Sequence, residues 1–386
     1  MSIPKSPSAD CLLLVGASVR AATQSAQRAG FKTFSIDLFN DADLRKCGAS
    51  AKIDDYRAIP NAVRQFPPAP FLYTGGLENN LKLLQEISTT NQLLGCPPSS
   101  VRSVRDPEVF FEFLHENDFN VIEWSRRLPI NCGSDRWLQK PHGSCGGFGI
   151  RFVDNENSNS IGPADKSYFQ RHQPGKPIGF VFVANGSSAS PVGATEQICG
   201  VVDSPTQPFR YLGSLGPFDL SAQVNDQLSR LANQLTNRFE LRGIIGVDII
   251  LEGDDVFVLE VNPRYTASVE ILERATDRSM IREHVRACRD GTLQAPSKTE
   301  TGRAFQKEVF YATADCCVGE RFVQWYDSEN AKRPNHESQV ADLPLAGQSL
   351  LTGQPVCTLF AEGNDRASCI QAMSLQKIAA TKALYG

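Results

Sequence analysis

Residues Gly246–Arg264 read GVDIILEGDDVFVLEVNPR, two short apolar strands joined by a tight turn at Gly253-Asp254-Asp255. Folding the segment about Asp254 sets Asp248 opposite Glu260 and Ile250 opposite Val258. Side chains alternate faces along a strand, so Glu260 and Asn262 share a face and Asp248 joins them. Like charges directly opposite on neighbouring strands are unfavourable. An apolar hairpin that carries such a pair needs a cation to offset it. Two carboxylates beside an Asn suit Mg²⁺, with Mn²⁺ as an alternative, because these ions take few protein ligands and complete their octahedron with water and phosphates. Arg264 follows two residues later, placed to hold a phosphate or a carboxylate. Without a ligand the same pattern describes a solvated hairpin edge.

The rest of the chain narrows the choice. Its 386 residues exceed one ordinary core and predict two or three domains. At 41% hydrophobic and 21% charged the composition is that of a globular protein. A net charge of −4 argues against a general nucleic-acid binder. No apolar run reaches the length of a membrane span, and the opening MSIPKSPSADCLLLVG has too short an apolar stretch for a signal peptide. Eleven cysteines lie scattered without zinc-ligand spacing, which predicts reduced thiols in a cytoplasmic protein.

Three regions follow along the chain. Residues 1–98 read as a Rossmann-like α/β unit: CLLLVG as a buried strand, Ser18–Ala29 as a helix stopped by Gly30, and FKTFSID as the next strand. The Gly16-Ala17-Ser18 turn lacks the glycines of a dinucleotide fingerprint. Ligands of open α/β sheets sit at the carboxyl ends of strands, so Ser18, Asp37, Glu78 and Asn79 are substrate candidates, each also readable as a cap or turn residue. Residues 99–295 open with a helix at Pro107–Glu116, capped by Asp106. The strand Arg136–Pro141 then leads through HGSCGGFG into a strand at Ile150–Val153. A Gly-rich loop between two strands is a hairpin flap rather than a Walker loop, and its N–H groups can fold over phosphates. Lys140 supplies a point charge beside it. Ser221–Glu240 is an amphipathic helix with Val224, Leu228, Leu231, Leu235 and Phe239 on one stripe. Residues 296–386 are β-rich, with Glu308–Ala314 a strand, ADLPLAGQSLLTGQPVCTLFAEG punctuated as in a small barrel or sandwich, and a helix from about Ala367 to Leu384.

The order of these parts, ending in D-x(11)-E-x-N-P-R, resembles the ATP-grasp superfamily over residues 10–290. The tail is similar to that of the carboligase group related to biotin carboxylase. The resemblance implies an α/β and α+β multidomain chain: an N-terminal domain at 1–98, an ATP-grasp domain at 99–295 and a small β-rich domain at 296–386. It further implies that Lys140 meets the nucleotide phosphates and that Ser144, Cys145, Gly146, Gly147 and Gly149 form the flap. Gln170, Arg171 and His172 correspond to the hinge beside adenine. Asp248, Glu260 and Asn262 correspond to the metal ligands and Arg264 to the arginine steadying the transferred phosphate. Glu196 corresponds to an acidic residue near the ribose or metal. One departure stands out: the earlier α-phosphate lysine is missing, since Asp106 is followed by Pro107 and residues 101–139 contain no lysine. Arg126, Arg127 or Arg136 is then the substitute, or ATP is held differently.

What the family implies is an ATP- and Mg²⁺-dependent ligase. A carboxylate becomes electrophilic once phosphorylated, and an amine displaces phosphate to give an amide. The partners implied are a small carboxylic acid and an amine, with glutamate and an aromatic amine such as tyramine, in synthesis of methanofuran- or tetrahydromethanopterin-type cofactors, as one pairing. A homodimer is common among such enzymes. A bicarbonate-activating carboxylase and a nucleotide-binding regulator without turnover are the alternatives.

Overall fold

The computed structural model describes residues 10–129, 136–153, 166–202, 208–276, 278–295, 302–333 and 338–386. Strands β1 (Cys11–Val15), β2 (Lys32–Asp37), β3 (Ala49–Lys52) and β4 (Phe71–Tyr73) form a parallel sheet in the order β3-β2-β1-β4. The run Leu12–Val15 is fully buried because packed apolar side chains cover both sheet faces. The first helix spans Arg20–Arg28, two residues later than expected, and Gly30 follows it at φ 90°. Val15 pairs with Tyr73, so Ser18 and the Gly75-Gly76 turn emerge side by side. At Gly76 φ is 101°, and a Cβ there would lie 1.8 Å from the Tyr56 hydroxyl oxygen.

A second, antiparallel sheet contains β5 (Trp124–Ser125), β6 (Trp137–Pro141), β7 (Arg151–Val153) and β8 (Ser167–Arg171) in the order β5-β8-β6-β7. The β6–β7 hairpin carries the Gly-rich loop, as the sequence predicts.

The central sheet has eight strands. They are drawn from β9 (Lys176–Asn185), β10 (Ala189–Gly200), β11 (Arg210–Gly216), β12 (Arg242–Glu252), β13 (Asp255–Asn262), β14 (Ala304–Tyr311), β16 (Val340–Ala341) and β18 (Pro355–Gly363), while β15 (Cys316–Cys317) pairs separately with β17 (Ser349–Leu350). The order is β13-β12-β9-β10-β11-β14-β18-β16. This corrects the reading of the segment 296–386 as a barrel or sandwich of its own. Its two long strands extend the central sheet through the Gly213–Gly216 pairing with Phe305–Glu308. The helix Ala222–Phe239 covers one face: Val224, Leu228, Leu231, Leu235 and Phe239 share a core with Phe180, Phe182, Ile245 and Val247. Ser221 caps that helix by accepting from Val224 N, and Glu240 closes it in the left-handed region. Helices Ala267–Thr276 and Met280–Arg289 cover the other face, against Val181, Val183 and Ile244.

The β12–β13 hairpin contains a feature that its alternation pattern does not reveal. Glu252 pairs with Asp255 across a two-residue turn, and Ile249 with Val258, but Asp248 pairs with Glu260. Leu259 is therefore an extra residue, a bulge. The two-residue turn sets Ile250 opposite Phe257 rather than Val258, and the bulge beyond it shifts the register so that Asp248 meets Glu260. An unbroken ladder from this turn would place Leu259 opposite Asp248 and turn Glu260 to the other face.

Candidate active site

The bulge brings two carboxylates together on a face of the sheet. Asn262 Nδ2 lies between them, donating to Asp248 Oδ2 at 2.9 Å and to Glu260 Oε1 at 3.3 Å. Gln197 Nε2 donates to Asp248 Oδ1 at 2.6 Å. Withdrawal from solvent, then the Glu260 charge, pushes the Asp248 carboxyl above its usual range. Withdrawal from solvent acts on Glu260 in the same sense, but Arg105 and Lys140 draw it below its ordinary value. A carboxylate pair held in this way fits a hard divalent cation: two anionic oxygens converge and a metal such as Mg²⁺ takes its remaining ligands from water and phosphate. Among the described residues no three His, Cys, Asp or Glu side chains form a closed metal cage. Asn262 departs from the expected ligand geometry. Its Oδ1 accepts from Arg264 Nη2 at 3.0 Å, so ligation through that oxygen requires the amide to turn over and give up this bond.

Lys140, 8% exposed, extends from β6 and donates to Gln170 Oε1 on β8 at 2.6 Å. Burial lowers its pKa to about 8, against the opposing pull of Glu260 and Asp248. Gln170 Nε2 is buried with no hydrogen-bond partner, as is Glu78 Oε2. An orphaned donor beside a lysine suits an anionic or acceptor-rich ligand. The flap arches from the end of β6. Gly146, Gly147 and Gly149 have φ of 61°, 73° and 76°. A Cβ at Gly147 would lie 1.8 Å from Phe209 O. The loop is tied down by Tyr211 N donating to Gly146 O at 3.0 Å and Arg105 Nη2 donating to Ser144 O at 3.4 Å. As pH rises through about 8, Lys140 loses its proton and can no longer attract a phosphate. ATP affinity should therefore fall about tenfold between pH 7.5 and 9, with proton uptake on binding near pH 8, by calorimetry in two buffers. Lys140→Met should abolish both effects.

Arg264 sits just beyond β13, and the structure shows what holds it. Its Nε donates to Glu78 Oε1 at 2.6 Å, and its Nη2 to Asn262 Oδ1 and to Cys145 Sγ at 3.4 Å. Burial opposes its charge, but Glu78 and Cys145 hold its pKa above the ordinary value. Asn79 does the same service for a second arginine, its Oδ1 accepting from Arg105 Nη2 at 2.9 Å. Glu78 and Asn79 therefore reach the site, each holding an arginine, and Glu78 keeps its Oε2 without a partner.

Arg105 is the residue that sequence reasoning missed. Of the cations weighed as replacements for the absent lysine, Arg126 pairs with Glu108 and Arg136 stacks at 3.5 Å on the Phe152 ring. Arg105 instead touches the flap, and its charge acts on Glu260. It immediately precedes Asp106, and its place beside the expected lysine position was the available signal. We expect Arg105→Ala to weaken ATP binding about 10–100-fold, the size of a charge-assisted hydrogen bond, with partial recovery in Arg105→Lys, measured by calorimetry.

The remaining candidates differ in where they fall. Glu196 faces away from the carboxylates: it is opposite Ile178, while its neighbour Thr195 is opposite Gly179, which is level with Asp248. It pairs with Arg366 at 2.6 Å. Gln197 occupies the place expected for it. The N–H groups of Arg171 and His172 donate to Glu123 O and Arg136 O, both at 2.8 Å, so neither is open to an adenine edge. Asp37 accepts from the N–H groups of Val19, Phe39 and Asn40, as a turn residue does. Ser18 lines a cavity of about 470 Å³ that Arg264 also lines. Its walls also include Cys145 and Phe148 of the flap and Tyr211 and Tyr311 of the central sheet.

Residues 108–268 match the family model of the ATP-grasp domain. The whole chain resembles the biotin carboxylase of Campylobacter jejuni, with a TM-score of 0.71 at 15% identity over 97% of this chain and 91% of that one. It also resembles an L-amino acid ligase from Bacillus licheniformis, with a TM-score of 0.67 at 13% identity over 97% and 98%. The large chain of carbamoyl phosphate synthase from Neisseria gonorrhoeae is 33% identical over 105 residues, 26% of this chain and 9% of that one. The chain thus carries an ATP-grasp domain within an ATP-grasp fold. It matches the first of its curated relatives over 6% to 12% of their length. Among the described residues no helix is long and apolar enough to cross a membrane.

Proposed function

We propose that the protein is an ATP- and Mg²⁺-dependent carboxylate–amine ligase that releases ADP and phosphate. The observation that carries this reading is the position of Arg264. It lies between the Asp248–Glu260 pair and a cavity built by all three regions of the chain. Lys140, Arg105 and the flap N–H groups would hold the nucleotide phosphates. Asp248 and Glu260 would hold Mg²⁺, which supplies charge neutralisation for phosphoryl transfer. Arg264 would meet the carboxylate and steady the charge that collects on the transferring group, and the flap would keep water from the acyl phosphate. The amine then attacks the acyl carbon and phosphate leaves.

The cavity also bears on the substrate. Phe39, Phe148, Tyr211 and Tyr311 contribute its aromatic wall, which suits an amine with an aromatic body. Glutamate joined to such an amine, a step of methanofuran- or tetrahydromethanopterin-type cofactor synthesis, is the specific pairing we favour. The test is ADP release with Mg²⁺ across acids and amines, including glutamate with tyramine and bicarbonate alone. Release that requires one acid and one amine together supports a ligase and identifies its substrates. Release with bicarbonate alone replaces that reading with a carboxylase, and ATP binding without turnover on any pair replaces it with a regulator.

A further inference from the structure

A second cavity, of about 600 Å³, shares no lining residue with the one beside Arg264. It lies where the helices Arg20–Arg28, Ala267–Thr276 and Met280–Arg289 meet β14 and β18. Seven arginines and three glutamates line it. The three carboxylates are already engaged: Glu273 with Arg28 at 3.0 Å, Glu283 with Arg278, and Glu362 with Arg303 and Arg333. Arg282 and Arg286 have no carboxylate within ion-pair distance among the described residues, and Arg282 donates instead to Ala29 O at 3.1 Å.

Those two arginines sit one helical turn apart within the helix Met280–Arg289. Like charges at this spacing destabilise a helix, a cost that an anion lying over the pair would offset. Ser279, at the start of the same helix, leaves its buried Oγ without a hydrogen-bond partner. Arg274 lies 3.6 Å over the Phe360 ring, which fixes the opposite wall. The volume falls within the range of small-molecule sites. Guanidinium groups converging from several elements are suited to oxyanions, which they bind in a bidentate manner.

We infer that this cavity binds a compact anion carrying two or more charged oxygen groups, either phosphates or carboxylates, at a site separate from the catalytic cleft. The Ala267–Thr276 helix connects the two places. It begins three residues after Arg264, carries Glu270 bonded to Lys307 at 3.0 Å beside the first cavity, and carries Glu273 and Arg274 into the second.

The experiment is calorimetric titration of the full chain with sodium tripolyphosphate and, separately, with citrate, in the parent and in Arg282→Glu/Arg286→Glu. Both side chains are exposed, so the variant should keep the parent's melting temperature and its affinity for ATP. One class of anion should bind the parent and lose at least about tenfold in affinity in the variant. Preference for tripolyphosphate assigns phosphate, and preference for citrate assigns carboxylate. Absence of binding to the parent, or equal affinity in parent and variant, overturns the site. Because the readout is binding, the result stands whether or not the catalytic cleft proves to be a ligase.

Discussion

Asp248→Ala and Glu260→Ala should each lower ADP release by at least about 10³-fold at saturating ATP while the fold persists. Each change removes one of two anionic oxygens proposed to hold the divalent cation, and such a cation contributes several kcal/mol to phosphoryl transfer, each 1.36 kcal/mol being tenfold in rate. The stability effect should be small or reversed. That holds most clearly for Asp248, which burial and Glu260 hold above its usual pKa range. Against burial, Glu260 is drawn below its ordinary value by Arg105 and Lys140, so Glu260→Ala also leaves those cations less compensated and should be the less stable of the two. The check is single-turnover ADP release alongside a thermal melt. A variant that melts like the parent and turns over ATP equally fast would remove the carboxylate pair from the mechanism. Asp248→Asn keeps the side-chain shape and separates loss of charge from loss of packing.

How much of this site could be read in the sequence depended on local periodicity. The hairpin, the flap and the amphipathic helix over Ala222–Phe239 were legible because each buries a face whose residues recur at a fixed interval. Strand parity was legible only as far as the next irregularity. The two-residue turn moves Ile250 off Val258, and the bulge at Leu259 then brings Asp248 and Glu260 face to face. A register shift between Pro191 and Gly193 precedes Glu196 and Gln197, and it is Gln197 that reaches Asp248. Pairings between distant segments left no local trace. Glu78 holds Arg264 across 186 positions, and Asn79 holds Arg105 across 26. In sequence, Glu78 and Asn79 follow a strand and a glycine turn, the usual place for a ligand-binding residue. The addition of β14 and β18 to the central sheet was equally invisible, because a strand's sequence specifies its faces and not its neighbour.

The ion pair between Arg264 and Glu78 yields the second large effect, and it can separate structure from catalysis. Arg264 is 9% exposed and Glu78 3%. Breaking a buried pair by removing one partner leaves the other charge uncompensated, at a cost of about 3–5 kcal/mol. Arg264→Ala should therefore lower unfolding stability by about that amount, in urea or heat. Arg264→Ala/Glu78→Ala should recover most of it, since no lone carboxylate remains in the core. Activity should not follow stability. If Arg264 meets the transferring phosphate, both variants should lose about 10²–10³-fold in single-turnover ADP release, the size seen when a transition-state donor is deleted. Arg264→Lys keeps the charge but loses the bidentate fork that spans Glu78 and Asn262, so it should fall between parent and alanine in both measurements. Recovery of ADP release together with stability in the double variant would reduce Arg264 to a positioning residue. Persistent loss of release in a restored fold would leave the guanidinium acting on the reacting atoms, with Glu78 holding it in place from the N-terminal region.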